Sequence, residues 1–217
     1  MENQKILRGT EREKSLERNS YFSNEYFSLT QLCSFAHQIH DIYKIQPKNI
    51  LEFGIGNGFT STYLKRSGFT VTTVDINNKL SPDICSSINE IEKILTEERF
   101  DLIVCCEVLE HMPFEEFEES VKIFSKLGKK LYLTIPNYNR NYGISGFLRI
   151  PKFGVRSIDF SINIPIRKRL DKEHFWEINS SKETTIKNLN SILSRYYEKV
   201  SFKRYKLNPY HTSFFGS

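Results

Sequence analysis

The chain has only four cysteines in 217 residues, at positions 33, 85, 105 and 106, and no pair is spaced as Cys-x-x-Cys. The missing spacing argues against the common zinc and thiol-redox motifs. Cys105 and Cys106 are adjacent on an expected strand, so their side chains point to opposite faces. We therefore expect free thiols, with neither zinc nor a disulfide. No apolar run approaches the roughly 18 residues of a membrane-spanning helix. The first 19 residues are polar and charged and lack the apolar centre of a secretory leader, so the expected compartment is the cytoplasm. Also missing are the Gly-Lys-Ser/Thr of a phosphate loop and the third glycine of G-x-G-x-x-G, whose place Phe59 takes. What remains is an ordinary globular composition, 39% hydrophobic and 26% charged, in a length that suits a single domain with a sizeable core.

The stretch that organises the chain is Asn49 to Thr62, Asn-Ile-Leu-Glu-Phe-Gly-Ile-Gly-Asn-Gly-Phe-Thr-Ser-Thr, an apolar strand that passes through Gly54, Gly56 and Gly58 into a helix. Glycines here let the backbone turn sharply and come close to a ligand. Glu52 would repel a pyrophosphate but suits a ligand carrying an ammonium group. The next strand, Phe69 to Ile76, ends in Asp75, 21 residues beyond Gly54, where an acid can accept hydrogen bonds from both hydroxyls of a ribose. Glu-x-Gly-x-Gly-x-Gly followed by this aspartate resembles motif I and its acidic partner in class I S-adenosylmethionine-dependent methyltransferases.

That resemblance implies S-adenosyl-L-methionine as cofactor. It also implies a three-layer Rossmann-like α/β fold, with a mostly parallel seven-stranded sheet and a C-terminal antiparallel hairpin. Carried over residue by residue, it puts Glu52, Gly54, Gly56, Gly58, Asp75, Ile76, Ser87, Ile88 and Glu107 at the cofactor. The residue ending the third strand of the family is frequently an acid that meets the adenine amine. Ser87 stands there instead, and with Glu90 it also reads as a helix-capping box.

The remaining elements agree with this fold. Leu29, Leu32, Cys33, Ala36, Ile39, Ile42 and Tyr43 recur at helical spacing, with Ser28 or Thr30 as cap and Pro47 as stop, inside an N-terminal cap segment 21–46. Tyr21, Phe22, Tyr26 and Phe27 lead into that helix, where they can roof a site or pack in the core, and residues 1–20 read as a flexible terminus. A helix is expected over Asn89 to Glu98. Phe100 to His111 is a buried strand entering a polar turn, Glu-His-Met-Pro, that looks like motif III of the same family. A helix from Pro113, a strand Lys130 to Pro136, a helix capped by Ser180 and Glu183, and a hairpin of Lys199 to Leu207 with Tyr210 to Phe215 complete the pattern.

Methyl transfer to a hydroxyl wants a base with a near-neutral pKa, which points to histidine. His111 and His174 fall on loops that face the cofactor in this fold and are the candidate catalytic residues. His37, His40 and His211 are expected to be structural. Asn137, Arg167, Arg169 and Trp176 are the candidate substrate contacts. An Asn/Asp-Pro-Pro-Tyr after the fourth strand is absent, and the paired cysteines lie within a strand, which disfavours adenine and cytosine methylation. No Asp-Asp-Asn set suggests a metal-dependent catechol enzyme, and no metal is expected. The expected acceptor is an oxygen or nitrogen of a small molecule, a glycan or a lipid-linked sugar, possibly anionic. An RNA or protein methyltransferase and a non-catalytic cofactor-binding module stay open, with nucleic acid the weaker partner, and so does the oligomeric state.

Residues 139–170 carry seven Lys/Arg against one acid, Asp159. This amounts to +6 in a protein whose net charge is +5, leaving −1 for the rest. The 32 residues exceed the ~12 to 15 usual for a connection without structure of its own. We expect a substrate lid, with a plain solvated face as the alternative.

Overall fold

The computed structural model describes residues 9–24, 26–96, 99–167 and 170–217. Five parallel strands are laid down first: β1 (Asn49–Phe53), β2 (Thr70–Asp75), β3 (Ile84–Cys85), β4 (Leu102–Cys106) and β5 (Leu131–Pro136). A long ribbon follows, β6 (Asn139–Ile150) and β7 (Gly154–Arg167), and the chain ends in β8 (Val200–Arg204) and β9 (His211–Gly216). The main sheet runs β3-β2-β1-β4-β5-β9-β8, with β9 antiparallel to both neighbours. The anticipated seven-stranded sheet with its antiparallel hairpin is therefore the sheet observed.

Five α-helices accompany the strands: α1 (Gly9–Ser15), α2 (Leu29–Ile45), α3 (Phe59–Arg66), α4 (Phe117–Leu127) and α5 (Ile186–Leu193). Ser28 caps α2 by accepting a hydrogen bond from the Gln31 backbone at 3.2 Å, and Gln46 closes it in the left-handed conformation just before Pro47. α3 ends at Ser67, followed by Gly68 at φ +95°. The α4 stripe Phe117, Val121 and Phe124 is buried in the core, with Phe124 5.0 Å from the Phe53 ring of β1. Each such side chain contributes about 1.5–3 kcal/mol by leaving water. No helix among the described residues is long and apolar enough to cross a membrane.

Four local expectations need correction. Residues 9–22 are not a frayed tail: α1 and the 3-10 turn Arg18–Phe22 fold back against the turn after β2, held by polar contacts that hydrophobic periodicity does not register. Asn77 donates from Nδ2 to the Glu13 and Leu16 carbonyls, each at 2.9 Å, and Arg12 pairs with Glu173. Of the helix foreseen at 89–98, residues 97 and 98 lie outside the described residues and the rest holds only the 3-10 stretch Ile88–Lys93, which Ser87 precedes without a capping bond to its backbone. Thr185, rather than Ser180, caps α5, accepting from the Asn188 backbone at 3.3 Å. The insertion 139–170 is chiefly the β6–β7 ribbon, a separate two-stranded sheet.

All parallel strands end on one rim. Gly54, Ile76, Ser86, Glu107 and Asn137 each follow a strand's carboxyl end there, where open α/β sheets bind ligands.

Candidate active site

A cleft of about 590 Å³ opens on this rim. Glu52, Gly54, Gly56, Asp75, Ile76, Ser87, Ile88, Glu107, His111 and His174 all line it. Gly54 has φ +76°, and a Cβ there would stand 2.2 Å from Val108 Cγ2, so only glycine fits between the loop and the turn after β4. Gly56, at φ +50°, leaves its cleft side open, with the nearest atom, on the Tyr21 ring, 3.9 Å from where a Cβ would be. Gly58 caps α3 at φ +72° and does not line the cleft.

Glu52 sits in mid-sheet, in register with Thr73 on one side and Val104 on the other. It is 6% exposed, and burial pushes its carboxyl up to about 8, opposed by the Ser61 hydroxyl and the Lys65 charge. Its Oε2 is buried without a hydrogen-bond partner among the described residues. A buried acid with an unused oxygen facing a cleft is the arrangement a cationic ligand group would complete. Asp75 accepts from the Ile55 backbone at 3.0 Å and from the Asn77 backbone at 2.8 Å, tying the glycine loop to the end of β2. Burial raises its carboxyl, and these backbone bonds oppose the shift.

Glu107, the residue after β4, is held at φ +59°, a conformation that non-glycine residues adopt at a cost of about 1–3 kcal/mol. The strain aims its carboxylate inward. Oε2 accepts from Gln31 Nε2 at 3.0 Å, and Oε1 lies 3.3 Å from His211 Nδ1. His211 also bonds the Ser34 hydroxyl at 2.8 Å. His211 was expected to be structural, yet it lines the cleft and belongs to the Glu107 network. Of the aromatics leading into α2, Tyr21 and Tyr26 form part of the wall, whereas Phe22 and Phe27 are exposed.

The two candidate histidines meet edge to face, with ring centroids 4.9 Å apart. Their surroundings push them in opposite directions. Burial lowers the His111 pKa, outweighing the attraction of Glu13, whose Oε1 is 3.8 Å away. Burial would lower His174 as well, but Glu177, 3.1 Å from its Nδ1, together with the charges of Glu110 and Asp171, turns the net shift upward. Beneath them Glu110 is 1% exposed, and burial raises its carboxyl to about 8. Ligand atoms of Glu110, His111 and His174 all lie within 4.8 Å of one another, close enough to share a metal ion. Sequence reading passed over Glu110, although it adjoins His111.

The candidate substrate contacts fare differently. Trp176 is 3% exposed, donates to the Met112 carbonyl at 3.1 Å and packs edge-on against Phe114 and Phe117. It is a core residue, two positions from His174 but outside the cleft. Asn137 is fully buried, and its Oδ1 accepts from the Asn139 backbone at 3.1 Å, which makes it a brace at the end of β5. Arg167 ends β7, where its backbone pairs with Asn139, and Arg169 lies outside the described residues. No described residue of the ribbon lines the cleft.

The cleft is also strongly acidic. Among its described lining residues, eight carboxylic side chains face one lysine, Lys14. A model of the methyltransferase domain matches residues 21–178. The chain belongs to that methyltransferase family. With its Glu-x-Gly-x-Gly-x-Gly loop at the carboxyl rim of this sheet, it is a class I S-adenosylmethionine-dependent methyltransferase.

Among curated proteins, this methyltransferase is similar to a ubiquinone biosynthesis O-methyltransferase of Coxiella burnetii, 31% identical over 109 residues. The match takes in 44% of this chain and 46% of that protein, so less than half the length of the relative is spanned. Solved structures with the same fold include an S-adenosylmethionine-dependent methyltransferase of Clostridium acetobutylicum, with a TM-score of 0.54 at 12% identity over 90% of this chain and 97% of that one. Another is the N-methyltransferase NodS of Bradyrhizobium japonicum in complex with S-adenosyl-L-homocysteine, with a TM-score of 0.53 at 12% identity over 95% of each chain. At such identities the likeness is one of fold.

Proposed function

We propose that this methyltransferase methylates a hydroxyl of a small molecule or glycan, a lipid-linked sugar included, with His111 as the base. The observation that carries the reading is the pair of adjoining histidines with opposite pKa shifts, on the wall of the cleft that also holds the glycine loop. A base must be free of its proton at working pH. Lowered by burial, His111 is neutral there, whereas His174, raised by Glu177, holds its proton to a higher pH than His111 and in its protonated form can hydrogen-bond the acceptor as a donor. The likeness to an O-methyltransferase supports oxygen as the accepting atom. The acidic wall favours a neutral acceptor over an anionic one, since even with Glu52 and Glu110 holding their protons an anion would meet the carboxylates that remain.

Bound S-adenosylmethionine supplies an electrophilic methyl group on a cationic sulfur. Glu52 would hold its ammonium group, Asp75 its ribose, and Ile76, Ser87 and Ile88 the adenine end of the cleft. The protein's further contribution is to hold the acceptor oxygen in line with the methyl carbon, which can lower a barrier by ~7–11 kcal/mol. Calorimetry tests the cofactor assignment. S-adenosylmethionine and S-adenosylhomocysteine should bind, and NAD and ATP should not; tight NAD binding, or silence toward both sulfur nucleosides, would sink it.

A second reading has its own observation. The Glu110, His111 and His174 cluster could hold a divalent cation that lowers the acceptor's pKa directly, leaving His111 a ligand instead of a base. Loss of methyl transfer on chelation, restored by a divalent metal, would favour this reading.

A further inference from the structure

Among the described residues the β6–β7 ribbon pairs only with itself. In its antiparallel register Tyr142 lies across from Ile162, Ile144 from Phe160 and Gly146 from Ile158. Directly opposed residues share a face, and every second residue of a strand returns to it, so Leu148 and Ile150 continue the same surface toward the tip. All of these side chains except the glycine are large and apolar, and their exposure runs from 36% at Ile150 to 78% at Ile144. At the tip Phe153 is 69% exposed and Val155 60%. An apolar surface of this extent on a two-stranded sheet marks an interaction site, since such ribbons are marginal alone in water.

The charge around that surface selects the occupant. Arg149, Lys152 and Arg156 are exposed and lie within four residues of Phe153 along the chain at the tip. The whole segment 139–170 carries +6, while the remainder of the chain carries −1. A second copy facing this ribbon with its own would bring two +6 segments together. Nucleic acid would gain little from a face built mainly of isoleucine and leucine, where only Tyr142 and Phe160 could stack on a base. Apolar side chains rimmed by arginine and lysine instead match the boundary between anionic headgroups and acyl chains.

We propose that the β6–β7 ribbon docks the enzyme on an anionic lipid bilayer, with the Tyr142 to Phe160 face and the Phe153 tip entering the interface. Both roots of the ribbon stand beside the cleft: β6 starts two residues after Asn137, and the returning chain supplies Asp171, Glu173 and His174 to the cleft wall. Docking therefore holds the cleft mouth near the headgroups. The consequence, which rests on the methyl-transfer reading whereas docking itself does not, is that the acceptor is an amphiphile reached from the bilayer.

The full chain should sediment with vesicles of phosphatidylcholine mixed with phosphatidylglycerol, less so as salt rises, and should stay in solution with phosphatidylcholine alone. Combined Ile144→Ser and Phe160→Ser, and separately Arg149→Glu with Arg156→Glu, should each lower partition at least tenfold. Affinity for S-adenosylhomocysteine should be unchanged in every variant, which shows that the sheet is intact and separates failure of docking from failure of the methyltransferase reading. Absence of wild-type binding, or variants that sediment like wild type, would overturn the proposal. So would light scattering that shows the apolar variants dissolving a dimer while vesicle binding persists, because the face would then belong to a second copy.

Discussion

Replacing Glu52 with glutamine keeps the side chain's size and removes its charge, and the consequences can be followed through pH. In the free protein burial holds this carboxyl at about 8, so at pH 7 it is protonated by about ten to one. If it pairs with the cofactor's ammonium group, binding must expel that proton. The wild-type association constant for S-adenosylhomocysteine should then rise about tenfold per pH unit below 8 and level off above. The ligand and every other group titrate alike in Glu52→Gln, so the ratio of the two proteins isolates residue 52. Above pH 8 the variant should bind roughly 10- to 150-fold more weakly, the equivalent of a charge-assisted hydrogen bond of about 1.5–3 kcal/mol. By pH 6 the ratio should approach one, because ionising the wild-type carboxyl then costs about 2.7 kcal/mol. Stability supplies an independent check. The native state binds this proton more tightly than the unfolded chain, whose carboxyl titrates near 4.5, so wild-type stability falls as pH rises from about 4.5 to about 8 and is flat above. Glu110 adds a slope of the same sign that the variant retains. Urea titrations of the ligand-free proteins should therefore show Glu52→Gln losing less stability between pH 6 and 8, by about 2.3 kcal/mol. Calorimetry in matched buffers gives the binding ratio, and a ratio independent of pH would refute the role assigned to Glu52.

Asp75→Ala should weaken S-adenosylhomocysteine strongly, by about 1.5–3 kcal/mol for each ribose hydrogen bond lost, as read by calorimetry. Asp83→Ala should leave that affinity alone but lower stability by about 1–3 kcal/mol, because Asp83 accepts from the Thr73 backbone at 2.9 Å and the Thr73 hydroxyl at 2.8 Å; equal loss of affinity in both variants would break the assignment. In Gly54→Ala the new methyl would meet Val108 at 2.2 Å in a left-handed backbone, so thermal stability and cofactor affinity should fall together. His111→Gln should abolish methyl transfer at unchanged cofactor affinity, whereas His174→Gln should retain a residual rate whose acid limb, below the ordinary histidine range, still reports His111.

How much of this was legible in the sequence depended on range. The glycine loop, Glu52 and Asp75 lie within 24 residues and on elements joined by one crossover, so spacing and strand pattern sufficed to bring them together. Glu107 and His211 are over a hundred residues apart, and meet because β9 inserts between β5 and β8, a pairing that no local pattern encodes. Trp176 was misplaced for the opposite reason. Its nearness to His174 in sequence suggested a shared site, but the chain turns between them and seats the indole on Phe114 and Phe117. The ribbon's signal was present and unused: apolar residues at 142, 144, 148 and 150, then at 158, 160 and 162, keep the period of two that identifies a strand.

The uneven charge along the chain becomes a division of labour in space. The cleft gathers eight acidic side chains and a single lysine, a field that draws in a cofactor bearing a cationic sulfur and an ammonium group. The basic excess lies in the segment built around the ribbon, of which no described residue lines the cleft. The two fields would cancel if interleaved, and each ligand would then meet the wrong sign. Kept apart, they allow one surface to face anionic headgroups while the neighbouring cleft receives a cation. Salt should therefore weaken vesicle docking and cofactor binding separately, since the charges that serve one lie outside the other.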